Sequence, residues 1–477
     1  MKRILLILLP IVLVACEEGT PFANMAPDTK IFLDEIKLEG DNRLNSVLTL
    51  HWIGEDQDGY VTGYELSFDN LSWSFTERTD STFRFDIPEG SDTNDIDFYV
   101  RAIDDKGEVD PEAAFLRVPI KNTPPTALLD TINVVPDVVY SAWSVFFTVD
   151  DLDGFETLDS TFVRINDGAW FAIDRNVNFL TFVPVNSGQE GLQEARVYTG
   201  LDARLQENLI DGVNVGGNNR LYLRNRDISR SFSEIDSTQE FLLRKRGSDL
   251  LVIDAHGANA ANTVYFPILD QVYAGYDYIN LQVEIPPFWA PTFGFILSEY
   301  DKVFWYSDGD DNLLQSQQLL METAANQIQT YLNDGGKLLM SARFPVSFND
   351  PGQKGSSLVF AFTPMDSLSS SRGQARIATN SKVFPTAGFA EYDTLVASGF
   401  IAGVDAFYPK DPANSMFEGE LLSSGGWVGP PTIIAKSLFT NGQTNQVFVG
   451  VELHRLNQDV TALQSFFDRV LNVEFDW

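Results

Sequence analysis

The residues best placed to do chemistry are carboxylates grouped in two short turns. Asp56-Gln-Asp58-Gly59 and Asp151-Leu-Asp153-Gly154 each place two aspartates in one turn, and further acidic residues adjoin both motifs. Calcium prefers oxygen ligands of this kind, so the four aspartates are candidate ligands for structural calcium. A full calcium loop needs more ligands than Asp-x-Asp-Gly supplies, and Asp and Gly also favour a tight turn without an ion. Both interpretations stay open, and no other cofactor is expected.

Other ligand types are scarce. The chain contains three His and one Cys, which are too few and too scattered to predict a transition-metal site. A single Cys also excludes a disulfide framework. Asp308-Gly-Asp-Asp-Asn312 is a third acidic cluster, which could bind a cation or cap the helix that follows it.

The N-terminus indicates where the protein is located. Ile4–Val14 is an apolar run of about eleven residues, whereas a membrane-spanning helix needs roughly 20, so the run predicts a secretory signal. Leu13-Val-Ala-Cys16 at its end resembles the bacterial lipobox. That resemblance implies cleavage before Cys16, lipid on its sulfur and attachment to the membrane through that lipid. An ordinary signal peptide followed by a coincidental Cys is the alternative.

The lipobox divides the N-terminal segment into a signal peptide at residues 1–15 and a tether at residues 16–29, which are polar and punctuated by proline. Glu17-Glu18 resembles the acidic signal that directs some bacterial lipoproteins to the cell surface. The expected location is therefore the cell envelope of a Gram-negative bacterium, on the outer membrane, at its periplasmic face or the cell surface.

The overall charge excludes some partners. A formal net charge of −34 repels nucleic acid and anionic lipid headgroups. A hydrophobic content of 44% argues against disorder despite that charge. The length of 477 residues predicts a multidomain protein, since a chain of this size exceeds one hydrophobic core.

Residues 30–122 alternate strand-like runs with turns, which is typical of a β-sandwich. They resemble a fibronectin type III or Ig-like module. The resemblance rests on Trp52 in an early strand, the first acidic turn, Tyr99-Val-Arg-Ala-Ile-Asp104 and the exit Asn122-Thr-Pro-Pro125. It implies a sandwich of two sheets.

Residues 123–246 repeat the pattern as a second Ig-like module. The second acidic turn matches the first, and Leu221-Tyr-Leu-Arg-Asn-Arg-Asp227 matches the end of the first module. The interval between matching residues lengthens once along the chain, which indicates duplication with an insertion near residues 185–213. Within it, Asp202–Leu209 has helix-like spacing.

Residues 248–477 change pattern. Continuous apolar runs alternate with segments of helical periodicity, which predicts a parallel sheet covered by helices. The predicted strands are Asp249–Asp254, Tyr300–Tyr306, Lys337–Ser341 and Gln446–Val451, and the predicted helices are Leu313–Leu332 and Thr461–Val470. Residues 345–430 contain few recognisable elements. The sequence thus predicts two β-sandwich modules followed by an α/β domain.

The strand, helix and Gly-Gly turn from Tyr300 to Leu339 resemble the class I glutamine amidotransferase-like fold, a flavodoxin-like α/β architecture. That family uses a Cys at a sharp elbow and a His-x-Glu motif after a later strand. Ser341 stands at the elbow position without flanking glycines, although small neighbours are needed there. His454 takes the place of the histidine, and Leu456 stands where the glutamate belongs.

These departures favour a non-enzymatic, lipid-anchored envelope protein, in which sandwich spacers display an α/β domain that binds a protein or glycan. One alternative is a serine hydrolase with Ser341 as nucleophile, His454 as base and Glu452 or Asp254 as the orienting carboxylate. Another is a carbohydrate-binding surface lipoprotein that uses exposed aromatic residues such as Phe288, Trp289 and Trp427.

Overall fold

The described part of the chain folds into two compact units. The computed structural model describes residues 23–33, 43–88, 90–255, 260–281, 291–307, 320–343, 358–368, 375–423 and 426–476. The first unit contains the described residues up to Pro125 together with Asp150–Leu158 and Asp227–Phe232. The second unit contains Thr126–Val149, Asp159–Arg226 and Ser233 onwards. Cys16, the signal segment, His256, Phe288, Trp289 and Asp308–Asn312 lie outside the described residues.

The first module is a β-sandwich. Its strands are β1 (Asp28–Leu33), β2 (Leu44–Asn45), β3 (Val47–Glu55), β4 (Val61–Ser67), β5 (Ser74–Thr76), β6 (Asp80–Arg84), β7 (Thr93–Asp104) and β8 (Ala114–Lys121). They pair as β1-β3-β6 and as β2-β8-β7-β4-β5. Alternate residues of β7, among them Phe98 and Val100, are buried against Trp52 in the core between the sheets, as period-two patterning requires.

The second module repeats this plan with an enlarged sheet. Its strands are β9 (Thr126–Leu129), β10 (Val138–Val139), β11 (Trp143–Asp150), β12 (Leu158–Ile165), β13 (Phe171–Asp174), β14 (Phe179–Pro184), β15 (Gly191–Thr199), β16 (Arg204–Leu205), β17 (Ile210–Val215), β18 (Asn218–Asn219), β19 (Leu221–Asp227), β20 (Asp236–Ser237) and β21 (Phe241–Leu243). They pair as β16-β15-β14-β11-β9, as β13-β12-β19-β20 and as β10-β21-β18, and β17 also pairs with β15.

Strands β15, β16 and β17 lie in or next to residues 185–213, where the sequence predicts an insertion. The prediction of a helix at Asp202–Leu209 is wrong, because Arg204 and Leu205 form β16 and pair with Thr199 and Tyr198. Ala203, with φ 53°, lies in the left-handed region, where a right-handed helix cannot continue.

The C-terminal part of the chain is built on a mixed sheet. Its strands are β22 (Leu250–Ala255), β23 (Asp277–Asn280), β24 (Lys302–Ser307), β25 (Lys337–Ser341), β26 (Met365–Leu368), β27 (Arg376–Ile377), β28 (Lys382–Pro385), β29 (Leu395–Val396), β30 (Phe407–Pro409), β31 (Ser415–Gly419), β32 (Leu421–Leu422), β33 (Thr432–Leu438) and β34 (Thr444–Val449). Among the described residues, nine strands pair in the order β23-β22-β24-β25-β34-β33-β31-β28-β29.

The apolar runs of the sequence form the parallel half of this sheet. Strands β23, β22, β24, β25 and β34 are parallel neighbours. The expectation of a purely parallel sheet is wrong for the rest, because β33, β31, β28 and β29 extend the sheet in antiparallel register. Three of these added strands, β28, β29 and β31, lie within residues 345–430, where the sequence shows few recognisable elements.

Helices cover both faces of the parallel half. The described helices are α1 (Asn262–Val272), α2 (Thr292–Ser298), α3 (Leu320–Thr323), α4 (Ala325–Asn333), α5 (Val359–Phe362) and α6 (Val460–Arg469). Helices α1 and α6 pack in the core on one face, and α2, α3, α4 and α5 in the core on the other. Helix α4 ends before Gly335, whose φ of 101° favours glycine.

The second module and the C-terminal sheet share one of these cores. Tyr140, Ala142 and Val183 of the module are buried in the same cluster as helix α2. The segment Arg244–Gly247 contacts both the module and the sheet. Arg244 stacks on Tyr140 with its Cζ 5.1 Å from the ring centroid, and the Gly247 N–H donates to Asp277 over 2.8 Å. The second module is therefore packed against the domain that follows it.

Candidate functional site

The residues named for the alternative serine hydrolase lie at the carboxyl edge of the parallel strands, where open sheets of this kind bind ligands. Asp254 lies near the end of β22, Ser341 ends β25, and Glu452 and His454 follow β34. The strand order reverses between β22 and β24, and such a switch point opens a crevice between the connections on either side.

Ser341 is used as a structural hydroxyl. Its side chain is 1% exposed, its Oγ donates to the Val451 carbonyl over 2.9 Å, and it accepts the Leu453 N–H over 3.1 Å. A serine hydroxyl has one hydrogen to donate, and here that hydrogen points at a backbone carbonyl. Ser341 thereby fixes the turn that follows β34.

His454 is connected to Ser341 through this turn and through Tyr265 of α1. The His454 backbone N–H donates to the Tyr265 hydroxyl over 2.8 Å, and the two rings meet edge to face with centroids 5.9 Å apart. Burial raises the pKa of Tyr265, and its hydrogen bonds with the Ser341 side chain and the His454 N–H offset part of that rise. The phenol is therefore neutral and acts as a buried anchor for the turn.

Glu452 is held by two arginines. Its Oε1 lies 2.5 Å from Arg343 Nη1, and its Oε2 lies 3.2 Å from Arg455 Nη1. Burial on its own would raise the pKa of Glu452, but the hydrogen bond and charge of Arg343, with the charge of Arg455, lower it overall. The carboxylate is ionised and clamps the end of β25 to the segment after β34.

Asp254 belongs to a separate polar network. It is 2% exposed and accepts hydrogen bonds from the Tyr278 hydroxyl over 2.7 Å and from Asn262 Nδ2 over 2.9 Å. Asn262 Oδ1 in turn accepts the Tyr306 hydroxyl over 2.5 Å. Burial, followed by the hydrogen bond to Asp254, raises the pKa of Tyr278. Asp254 thus accepts from a phenol on β23 and an amide on α1, and the phenol of Tyr306 on β24 joins the network through Asn262.

Sequence reasoning does not single out Asn262, Tyr265, Tyr278 or Tyr306. The position of Tyr306 along its strand could have identified it, because Tyr306 lies near the end of a predicted buried strand, at the same edge of the sheet as Asp254. Polar groups at such strand ends are the ones an α/β crevice can use. Trp427, an aromatic candidate for sugar stacking, is half-buried against the core, and its Nε1 donates to the Pro430 carbonyl over 3.2 Å.

The acidic turn of the first module is filled by nitrogen donors. Asp58 accepts the Met25 N–H over 3.2 Å and lies 3.2 Å from the ammonium of Lys106. The Asp58 N–H donates to Asp56 over 3.2 Å. Asp104, at the end of β7, accepts the side-chain amide of Asn24. The ammonium of Lys106 thus neutralises Asp58, and the side-chain amide of Asn24 binds Asp104.

The acidic turn of the second module is more deeply buried. Asp153 accepts the Ser46 hydroxyl and, over 2.8 Å, the Thr123 N–H. Asp151 accepts the Asp153 N–H over 2.9 Å and the Thr157 hydroxyl over 2.8 Å. Burial raises the pKa of Asp151, its two hydrogen bonds oppose that rise, and the charge of Asp153 adds to it.

Within the described ranges, no group of three or more His, Cys, Asp or Glu side chains is arranged so that it could hold a metal ion. Calcium binding by Asp56, Asp58, Asp151 and Asp153 stays a prediction. Among the helices that the structure describes, none has the length and apolar content needed to cross a bilayer.

Comparisons with known proteins give structural similarities alone. No family model matches the chain, and no curated protein matches it. The fibronectin III-like modules of CbhA from Clostridium thermocellum are 15% identical over 45% of this chain and 95% of that one, with a TM-score of 0.18. A two-domain fibronectin type III segment of chicken tenascin is 10% identical over 44% and 97%, with a TM-score of 0.20. The PKD1 domain of Vibrio anguillarum Epp is 15% identical over 21% and 98%, with a TM-score of 0.16.

Proposed function

We propose that this chain is a non-enzymatic, lipid-anchored protein of the bacterial cell envelope, whose C-terminal domain binds a protein or glycan partner. The lipid would be carried by Cys16, and the β-sandwich modules would hold the binding domain away from the membrane. The order of the five parallel strands is that of flavodoxin-like sheets, which supports the resemblance to amidotransferase-like domains.

The observation that carries the non-enzymatic assignment is the hydrogen bond from Ser341 to the Val451 carbonyl. A nucleophilic serine must give its proton to a base, whereas this proton is held by the backbone. Glu452, the first choice for the orienting carboxylate, is paired with Arg343 and Arg455. The residues that a serine hydrolase would need are thus occupied in holding the turn after β34.

A fluorophosphonate probe, which reacts with activated serines, tests the assignment directly. We expect the purified full-length protein to remain unlabelled under conditions in which a known serine esterase is labelled. Labelling that maps to Ser341 and disappears in a folded Ser341→Ala variant would establish the hydrolase instead.

The anchor has its own test. Cys16→Ser should abolish incorporation of radioactive palmitate in a Gram-negative host and release the protein from the membrane fraction. Glu17→Gln combined with Glu18→Gln serves as the matched control, since it keeps the Cys and should keep the lipid. A wild-type protein that incorporates no palmitate, or a Cys16→Ser variant that stays labelled, would overturn lipidation of Cys16 and leave the binding assignment standing.

A further inference from the structure

A polar cavity opens beside the β33–β34 hairpin of the C-terminal sheet, at the end of helix α6. Its volume is about 660 Å³, within the range of about 300–1,000 Å³ that small-ligand sites occupy. The residues at the carboxyl edge of the parallel strands do not line it, so it is a separate site. We call it the hairpin cavity, and its lining includes Glu391, Lys436, Asn441, Gln443, Arg469 and Glu474.

Glu474 is the most buried of the charged side chains in the hairpin cavity. Its Oε2 accepts hydrogen bonds from the Lys436 ammonium over 2.8 Å and the Thr444 hydroxyl over 2.9 Å. Its Oε1 accepts the Tyr392 hydroxyl over 3.0 Å. Burial on its own would raise the pKa of Glu474, but the hydrogen bond and charge of Lys436 lower it overall. This inner wall of the cavity is therefore ionised, paired and fixed before a ligand enters.

A departure from α-helical geometry places Glu474 in this wall. Helix α6 continues into a π-helical turn, Val470–Glu474, and the Phe475 N–H donates to the Val470 carbonyl, five residues back, over 3.2 Å. Val470, Leu471 and Phe475 stay buried in the core, while Glu474 lines the cavity. Turns of this kind are rare and occur frequently at functional sites.

The mouth of the cavity holds two opposite charges that are not hydrogen-bonded to each other. Arg469 Nη2 lies 3.8 Å from Glu391 Oε1, and the two side chains are 32% and 46% exposed. That separation is too long for a hydrogen bond. Arg469 is held in place by stacking on Tyr392, with its Cζ 5.0 Å from the ring centroid. A guanidinium, which only donates, thus lies beside a carboxylate, which only accepts, and the two do not satisfy each other.

Hydroxyl groups suit this arrangement, because each hydroxyl both donates and accepts hydrogen bonds. Neighbouring hydroxyls on a sugar ring can donate to Glu391 and accept from Arg469. Asn441 and Gln443, in the turn between β33 and β34, add side-chain amides to the lining, and an amide also offers both donors and an acceptor. The groups around the mouth therefore match a ligand that carries many hydroxyls.

The charges of the hairpin cavity balance. Among the described residues, its cations are Lys436 and Arg469, and its anions are Glu391 and Glu474. A ligand with a net charge would meet a like charge beside each opposite one. A neutral ligand avoids this cost, and the net charge of −34 on the whole chain does not repel it.

We propose that the hairpin cavity binds a neutral oligosaccharide, whose hydroxyls form hydrogen bonds with the charged and amide side chains of the lining. The volume of the cavity corresponds to about twenty water molecules, which is more than a single sugar ring displaces. This assignment rests on the proposed function, in which the C-terminal domain binds a protein or glycan, and it selects the glycan and gives it a site. It depends on neither the lipid nor the residues at the carboxyl edge.

Ligand-observed NMR with the purified full-length protein, which detects weak binding, tests the proposal. Maltotriose, cellotriose, mannotriose and triacetylchitotriose supply neutral sugars, trigalacturonate supplies an anionic sugar, and triglycine supplies a zwitterionic peptide. We expect binding of at least one neutral trisaccharide, with an affinity that changes little between low and high salt, since salt screens charges and the ligand has none. We expect no binding of trigalacturonate.

Two double variants isolate the mouth of the cavity. Glu391→Gln with Arg469→Gln should weaken trisaccharide binding about tenfold or more, since hydrogen bonds to charged groups are lost. Asp202→Asn with Arg204→Gln is the matched control, because it removes an exposed pair of the same charges from the second module, and it should leave binding unchanged. Circular dichroism and melting temperatures establish whether both variants are folded.

A single variant decides the question if the cavity variant does not fold. The Gln443 backbone N–H donates to Asn441 over 3.0 Å, and its carbonyl accepts the Phe439 N–H over 2.7 Å, so Gln443→Ala keeps the bonds that form the turn. It removes one amide from the lining and should weaken binding about threefold or more.

Four results would overturn the proposal. They are absence of binding to all four neutral trisaccharides, wild-type affinity in the folded cavity variant (or in Gln443→Ala, if the cavity variant does not fold), equal loss in the cavity and control variants, and tighter binding of triglycine or trigalacturonate than of every neutral trisaccharide. Any of these would leave the proposed function standing with a partner other than a neutral glycan. Labelling of Ser341 by the fluorophosphonate probe would instead overturn the non-enzymatic assignment without affecting the hairpin cavity.

Discussion

The side-chain amide of Asn122 donates a hydrogen bond to the carboxylate of Asp227 over 2.5 Å. Asn24 makes the same contact with Asp104 in the first module. Each asparagine stands just before the first strand of its module, and each aspartate ends a long strand of the opposite sheet. In each of the two modules, therefore, an asparagine of the entry segment is hydrogen-bonded to an aspartate at the end of a strand in the opposite sheet.

Asn122→Ala should destabilise the protein, because Asp227 is 1% exposed and would lose this donor. Loss of a hydrogen bond to a buried charged group predicts a fall of about 1–3 kcal/mol in the free energy of unfolding, measured in urea. Asn176→Ala is the matched control, since its amide donates to Asp174 at an exposed site. Its expected effect is below about 0.5 kcal/mol, and equal losses in the two variants would contradict the assigned role.

This repeat is visible in the sequence once the structure points to it. Asn24-Met-Ala-Pro27 and Asn122-Thr-Pro-Pro125 share an Asn-x-x-Pro motif. Sequence reasoning uses the second as a module exit and assigns the first to a tether. A short polar motif carries no hydrophobic period, so its role depends on contacts with strand ends far along the chain.

Strands with at least one face buried in a core are predicted well from the sequence. Lys337–Ser341 is identical to β25, and Tyr99–Asp104, one of the segments that predict the first module, lies inside β7. The helix predicted at Asp202–Leu209 is wrong, whereas the insertion near residues 185–213 stays a prediction. Leu205 and Leu209 have helical spacing, yet they are 57% and 40% exposed, so no buried face exists to stabilise a helix there.

The sequence predicts at which edge of the sheet the candidate residues lie, but not which side chains they contact. Strand ends place Asp254 and Ser341 at one edge, as the sequence indicates. The sequence does not reveal that Tyr265, on a helix, accepts the His454 N–H. Such contacts depend on how helices pack on the sheet, which residue spacing within a single element does not determine.

Ser341→Ala should lower stability rather than an activity. It removes the donor to the Val451 carbonyl and leaves the buried Leu453 N–H without its acceptor, a change worth about 1–3 kcal/mol of unfolding free energy. Ser298→Ala, whose exposed hydroxyl donates to the Phe295 carbonyl, is the control and should lie within about 0.5 kcal/mol of the wild type. An unchanged stability of Ser341→Ala would contradict the structural role.

Glu452 should contribute to loss of stability in acid. Its pKa is lowered in the folded state by Arg343 and Arg455. Its stabilisation is therefore complete above the ordinary glutamate pKa of about 4.3 and is lost as the pH falls through the lowered value. Glu452→Gln should cost about 1.5–3 kcal/mol at neutral pH and flatten the acid limb of a plot of stability against pH.

The control for Glu452 is Glu391→Gln. Glu391 pairs with Arg469 over 3.8 Å, and both side chains are substantially exposed, so its removal should cost less than about 1 kcal/mol. An acid limb in Glu452→Gln that is as steep as that of the wild type would show that the Arg343 clamp does not stabilise the folded state.

Asp151 should have the opposite pH dependence. Burial and the charges of Asp153 and Asp227 raise its folded-state pKa, so ionisation of Asp151 destabilises the fold above that pKa. The penalty disappears as the pH falls through the raised value toward the unfolded one. Asp151→Asn should therefore melt at a higher temperature than the wild type at neutral pH, and the difference should vanish in acid. A lower melting temperature at neutral pH would show that the ionised carboxylate stabilises the turn.

The same variant decides whether the turn holds calcium. The oxygens of Asp151 and Asp153 already accept hydrogen bonds from Thr157, Thr123 and Ser46, so we expect millimolar calcium, the range used by extracellular modules, to leave the melting temperature unchanged relative to EDTA. A calcium-dependent rise in the wild type that Asp151→Asn abolishes would establish an ion at this turn. A calcium-dependent rise in melting temperature that persists in Asp151→Asn would instead indicate the turn at Asp56 and Asp58 as the site. Asp58→Asn applies the same test there.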